Sequence, residues 1–181
     1  MIWLTSDLHF CHDRYFIYEP RGFENIQDMN ETIVNNIRSV VSWEDDLYIL
    51  GDCFLNDNEK GMKLLRRLPG RLHLIRGNHD TDARVEAMLN EPRITFHGYA
   101  DILKYGKYYF YLCHYPTITS NHDTHKYLTR RLINLCGHNH TKDKFQDMDK
   151  GLCYHVELDA HNLYPVSIDQ VITDIKEKIN E

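Results

Sequence analysis

Histidine and aspartate are the residues whose types and spacing could do chemistry. Twelve of the 181 residues are histidine. Many of these fall, with carboxylates, into five polar clusters: Asp7-x-His9, Gly51-Asp52, Gly77-Asn78-His79-Asp80, His114 and Gly137-His138-x-His140. Imidazole with carboxylate suits zinc, manganese or iron, whereas calcium prefers an all-oxygen shell. Pairs one residue apart, Asp7/His9 and His138/His140, would share one side of an extended segment. Glycines 51, 77 and 137 would permit tight turns beneath them. Taken singly, each cluster has a bland explanation: a loop pair, a turn, an Asn-His turn followed by a helix-capping Asp, a solvated loop. Five of them in this order, each closing an apolar run, outgrow those explanations.

The elements that must position these clusters follow from periodicity. Ile2 to Thr5, Leu47 to Leu50 and Leu72 to Ile75 are short apolar strands, each running into one of the clusters. Met29, Ile33, Ile37, Val40 and Val41 recur at helical spacing, predicting a helix from Asp28 to Val41. Met62, Leu64, Leu65 and Leu68 predict a second helix, stopped by Pro69-Gly70, and Asp82 to Leu89 a short third one. Tyr99 to Leu103 and Lys107 to Leu112 read as a hairpin turning at Tyr105-Gly106, with His114 after its second strand. Leu132 to Leu135 and Tyr154 to Leu158 are further strands. Ser167 with Gln170 forms a capping box for a C-terminal helix that turns Ile168, Val171, Ile172, Ile175 and Ile179 inward. Strand–helix alternation followed by hairpins predicts a layered mixed sheet with helices outside, and no linker divides residues 1–181. In such α/β sheets the loops at strand carboxyl ends converge on one crevice, where ligands bind.

Composition narrows the partners. With 21 Lys+Arg against 27 Asp+Glu, the net charge of −6 argues against broad binding to nucleic acid or anionic membrane, though not against recognition of one phosphate group. No apolar run approaches a bilayer span, and the N-terminus lacks the features of a signal peptide, so a cytoplasmic protein is expected. The five cysteines form an odd set without a C-x-x-C pair, against a disulfide framework or a thiolate zinc site.

The ordered set D-x-H, G-D, G-N-H-[DE], H and G-H-x-H resembles the motifs of the calcineurin-like metallophosphoesterase superfamily, and the match spans Asp7 to His140. That resemblance implies an α/β (α+β-like) four-layer sandwich, two mixed β-sheets flanked by α-helices, with two divalent ions at its mouth. It implies that Asp7, His9, Asp52 and His140 hold one ion and Asn78, His114, His138 and again Asp52 the other. Asp52 would bridge, and His79 would stand free as the acid for the leaving group. Manganese is the metal expected first, with iron, zinc or nickel as alternatives.

Elementary chemistry agrees. Two ions about 3.5–4 Å apart need a bridging anion, and a carboxylate has two oxygens to share. Four positive charges against Asp7, Asp52 and a bridging hydroxide leave a surplus of about one, suited to a phosphoryl group. The hydroxide would attack phosphorus in line, and His79 would protonate the departing oxygen. Protein Ser/Thr phosphatases of the superfamily extend the second motif to G-D-x-V-D-R-G. Here Gly51-Asp52-Cys53-Phe54-Leu55-Asn56 lacks that Asp-Arg pair, so the chain resembles instead a compact microbial or phage-type phosphoesterase with little or no cap. The same absence leaves His79 without an obvious orienting carboxylate; Asp80 could serve, or could cap the helix that follows.

Other residues are secondary. His12 and, more weakly, Arg14 could touch the substrate phosphate. His122, His125, Lys126, Arg130 and Arg131 form a basic stretch that could wall the substrate crevice but reads better as a solvated helical face. Cys53, Cys113 and Cys136 read as small apolar fillers, His73 as outward or satisfied within the core, and Asp159 as undecided. The expected function is hydrolysis of a P–O bond in a small phosphoester or nucleotide-like substrate, with a lean to diesters because no cap encloses a small monoester. The alternatives are a nuclease or nucleic-acid end-processing phosphatase, disfavoured by the acidic balance, and a non-catalytic scaffold of the same fold.

Overall fold

A computed structural model describes residues 1–119, 127–148 and 151–180. Of the basic stretch, His122, His125 and Lys126 lie outside the described residues.

Four strands lie parallel in the first sheet: β1 (Ile2–Thr5), β2 (Asp46–Leu50), β3 (Arg71–Ile75) and β4 (Ile94–Phe96). The two-residue strand β10 (Val166–Ser167) adds antiparallel to β1, giving the order β10-β1-β2-β3-β4. Period-two side chains give this sheet two apolar faces. Leu47, Ile49, Leu72 and Leu74 face one core, while Leu4, Leu50 and Ile75 face another. The first core is completed by α2 (Ile26–Val40), α3 (Asn58–Arg67) and α4 (Asp82–Leu89), which supply Met29, Ile33, Ile37, Met62, Leu65, Val85 and Met88.

The second core lies against a second mixed sheet. Its strands are β5 (Ala100–Tyr105), β6 (Tyr108–Cys113), β7 (Leu132–Cys136), β8 (Phe145–Met148) and β9 (Gly151–His155), in the order β5-β6-β7-β9-β8. Phe110, Leu112, Ile133, Leu135 and Tyr154 face inward and meet Ile168, Val171, Ile172 and Ile175 of α5 (Ile168–Ile179). The fold is therefore two mixed sheets flanked by helices, as the resemblance implied.

Local signals set most boundaries. Asn25 caps α2 by accepting from Asp28 N, Asp57 caps α3 through Lys60 N, and α4 occupies the residues predicted for it. At α5 only half of the capping box forms: Ser167 Oγ accepts from Gln170 N, but the Gln170 amide donates to Asp174 instead. The hairpin turns at Gly106-Lys107, with Tyr105 paired to Tyr108, one residue later than expected, because Gly106 takes the left-handed conformation at φ +58°. The last strand ends at His155, and its continuation adds only a bridge between Ser6 and Glu157. The four-residue helix α1 (Tyr15–Tyr18), which carries no periodic signal, follows the first cluster.

Candidate metal centre

β1, β2, β3, β6 and β7 all deliver a cluster at their carboxyl ends, and four of the five loops are wired together by backbone bonds. Asp7 N donates to Gly51 O at 3.1 Å, His9 N to Asp52 O at 3.0 Å, and Gly137 N to His114 O at 2.9 Å. The segments that carry the expected ligands are not extended, contrary to the expectation from their spacing. Asp7, His9, Asp52, His138 and His140 all have positive φ, between 49° and 75°, a region that costs a non-glycine residue roughly 1–3 kcal/mol. Such strain persists only where the surroundings over-determine it, as they do here. The glycines also act differently from expectation. Gly51 alone of the three has positive φ, +95°. Gly77 and Gly137 are sites of close approach: a Cβ on Gly77 would strike the Asp52 carboxylate, and one on Gly137 would strike Ser6 Oγ and the Asp7 carboxylate.

Two groups of donor atoms face one another. In the first, Asp7 Oδ1 lies 3.7 Å from both His9 Nε2 and His140 Nε2, which are 3.0 Å apart. In the second, Asn78 Oδ1 is 2.9 Å from His114 Nε2 and 3.0 Å from His138 Nδ1. Asp52 Oδ2 stands between them, 3.7 Å from His9 Nε2 and 3.5 Å from His114 Nε2. Its other oxygen is committed elsewhere, accepting from His79 N at 2.8 Å. Sharing between the groups therefore falls to a single oxygen rather than to two.

The residues fit a pair of divalent cations on a specific observation. Asp7 is fully buried; its Oδ2 accepts from Ser6 Oγ and from His138 N at 2.9 Å, while Oδ1, facing the histidines, accepts no hydrogen bond. A buried acceptor left unpaired is costly unless something positive meets it. Electrostatics point the same way. Burial resists ionisation of Asp7, yet His9, His114 and His140 more than offset it and hold the carboxyl well below its usual range. Burial, with the neighbouring Asp7 charge, pushes Asp52 up to about 6, against the pull of His114. Burial also lowers His9 to about 4, so its ring is neutral and available as a donor pair.

Supporting contacts explain the orientation of the donors, and one of them carries no sequence signal. Arg21 has a side chain only 1% exposed; it pairs with Asp159 at 2.7 and 3.0 Å and donates to Asp7 O at 2.8 Å. Asp159 in turn meets His140 Nδ1 at 3.1 Å, which leaves Nε2 for the donor group and settles the part left open for that residue. Asp80 neither orients the His79 ring nor caps α4, where Thr81 occupies the cap position. It is buried and accepts from Asp52 N at 2.8 Å, Gly77 N at 2.9 Å and Cys53 N at 3.2 Å, tying two of the loops together.

His79 is half-buried, with its ring centroid 5.6 Å from that of His9 and 5.7 Å from that of His12. His12 is buried, its Nδ1 3.0 Å from His9 Nδ1, and burial lowers it to about 4. His9, His12, Asp52, Asn78, His79, His138 and His140 line a common cavity of about 550 Å³, joined by Phe16, Ile17, Pro20, Lys142 and Asp159. Arg14 is not brought into it: the residue is exposed at the start of α1. A second cavity of about 500 Å³, lined by Cys11, Asp13, Asn30 and Lys60 among others, holds none of these donors. His73 is satisfied between Asp46 at 2.9 Å and His97 at 3.0 Å, far from ligation. No cysteine is in a disulfide; Cys53 and Cys136 are buried and Cys113 half-buried.

Fold, donor groups and motifs meet in one assignment: the chain belongs to the calcineurin-like phosphoesterase family, whose sequence model matches residues 1–173. Family members act on phosphoesters and use divalent metals. The chain is 30% identical to the uncharacterized protein MJ1445 of Methanocaldococcus jannaschii over 176 residues, 94% of this chain and 89% of that protein. It is 29% identical to the gene 66 protein of Mycobacterium phage D29 over 201 residues, 97% and 98% of the two chains. In fold it is similar to the protein of unknown function AQ665 from Aquifex aeolicus, with a TM-score of 0.70 and 22% identity over 96% of this chain and 98% of that one. No helix among the described residues is long and apolar enough to cross a membrane.

Proposed function

We propose that this chain works as one domain and is a dinuclear metal-dependent phosphoesterase that hydrolyses P–O bonds, phosphodiesters in preference to monoesters. The observation that carries the reading is Asp52 Oδ2 standing between two donor groups, beside an Asp7 Oδ1 that is buried and unpaired. Asp7, His9, His140 and Asp52 would hold one cation, and Asp52, Asn78, His114 and His138 the other. Two divalent cations there would supply Lewis acidity toward phosphoryl oxygens and an ionised water at neutral pH.

The remaining work belongs to the side chains. Asp52 Oδ1 fixes the His79 backbone, so the imidazole stands over the cavity within reach of a departing ester oxygen, to which it gives a proton. With His9 Nε2 turned to the donor group, His9 keeps its proton on Nδ1 and donates it to His12 Nδ1. His12 then carries its own proton on Nε2, free for a substrate oxygen in the cavity it lines. The preference for diesters follows from the sequence, which provides little or no cap to enclose a small monoester.

The test is hydrolysis of bis-p-nitrophenyl phosphate beside p-nitrophenyl phosphate, with protein stripped by a chelator and reloaded with manganese. Turnover that disappears and returns with the metal, faster on the diester, is the expected result. Two bound ions with no turnover of either ester would overturn it in favour of a non-catalytic role for the fold.

A further inference from the structure

The cavity has two unlike walls. One is the donor set; the other is apolar, formed by Phe16 and Ile17 of α1 and by Pro20 just beyond it. Phe16 is 56% exposed even though it lines a site, and the adjacent Tyr15 is 63% exposed. This wall is fixed to the metal centre rather than loosely placed. Ile17 is buried in the first core, and Arg21, three residues past α1, anchors the segment to Asp7 O, Leu8 O and Asp159. Phe16 joins a cluster of rings through His12. The Phe16 ring is 5.9 Å from that of His12, at 89°, and the His12 ring lies 5.1 Å from that of the donor His9 and 5.7 Å from that of His79. Phe16 therefore lies one ring beyond His12, in the cavity that the assigned acid His79 also lines.

The geometry points to a nucleoside as the leaving arm of the substrate, its base packed on Phe16. This rests on the phosphoesterase reading and adds the substrate class. A group bonded directly to the ester oxygen would meet His12 and His79 first. A planar base one sugar away from its phosphate reaches past His12 to the exposed face of Phe16, and π-faces of this kind stack on aromatic side chains without selecting one base. The sugar would lie along His12, and Pro20 and Ile17 would close the apolar side.

The test compares two ligands that differ only in the base: the non-hydrolysable methylene phosphonate analogues of adenosine 5′-monophosphate and of ribose 5-phosphate. Titrated calorimetrically into the manganese-loaded protein, the adenosine compound should bind roughly 3- to 10-fold more tightly, the worth of one aromatic contact. Phe16→Ala should bring the two affinities together, and Phe16→Leu should leave an intermediate ratio. Tyr15→Ala, a change outside the cavity lining, should keep the preference. Equal affinities in the unaltered protein, or a preference that survives Phe16→Ala, would overturn the inference. Phenylphosphonate binding more tightly than the adenosine compound would overturn it in favour of a directly bonded aryl group. These results are separate from the underlying reading, which fails on its own terms if bis-p-nitrophenyl phosphate is not hydrolysed.

Discussion

Asp52 divides its two oxygens between unlike tasks: Oδ2 faces both donor groups, while Oδ1 holds the backbone of the residue assigned as the acid. The side chain that would join the two ions thus also places the group that protonates the product. Asp52→Asn should reduce the metal content from two ions per chain, since an amide is a poorer bridge; retention of two tightly bound ions, counted by elemental analysis, would refute the shared role. His79→Asn should leave both ions in place and lower turnover by roughly 10²–10⁴, the usual worth of a general acid. The loss should be smallest with p-nitrophenolate as leaving group, which needs little protonation. Loss of metal from that variant would show His79 to be a ligand. Residue types and spacings singled out the seven candidate donors and His79 in the sequence, because ligation demands particular side chains. Arg21 was not legible: a buried guanidinium that pairs with a residue 138 positions away leaves no local pattern.

At the scale of elements, short parallel strands aim their loops at one point and helices hold those strands from behind. Helices α2 to α5 were legible because burial of one face imposes a period, and caps such as Asn25 and Asp57 use local chemistry. Strands β4, β8 and β10 were not: at two to four residues they have no room for a period and exist because a neighbouring strand offers hydrogen bonds. The left-handed backbone of the candidate ligands was hidden for a related reason, since it is imposed by bonds between loops distant in sequence, such as His9 N to Asp52 O. Two changes test this arrangement. Gly137→Ala drives a methyl group into Ser6 and the Asp7 carboxylate, and should abolish tight metal binding while the helical circular dichroism persists. Arg21→Ala leaves Asp159, a largely buried carboxylate, with His140 as its remaining partner. It should cost roughly 3–5 kcal/mol in urea unfolding and weaken manganese binding about 10- to 100-fold.

For the whole molecule, the two cores on either face of the first sheet make a stiff frame, and the strained loops at its rim are held against a cluster of buried charge. That charge sets a pH dependence with a definite sign. Without metal, Asp52 keeps a proton up to about 6 instead of its ordinary 3.8, and His140 is raised above 6.5 by Asp159 and Asp7 despite its burial. Metal must displace those protons, so apparent affinity should fall as pH drops from 7 to 5, by up to about tenfold per pH unit for each proton displaced. His9, already neutral down to about 4, adds nothing in that range. Metal that binds only the folded chain should also raise its melting temperature with concentration.

The most direct measurement of the central claim is electron paramagnetic resonance of the manganese-loaded protein, with the ions counted on the same sample. Two ions per chain in exchange coupling, lost in Asp52→Asn, is what a single shared carboxylate oxygen predicts. One ion per chain, or two that behave as isolated manganese, would contradict the account.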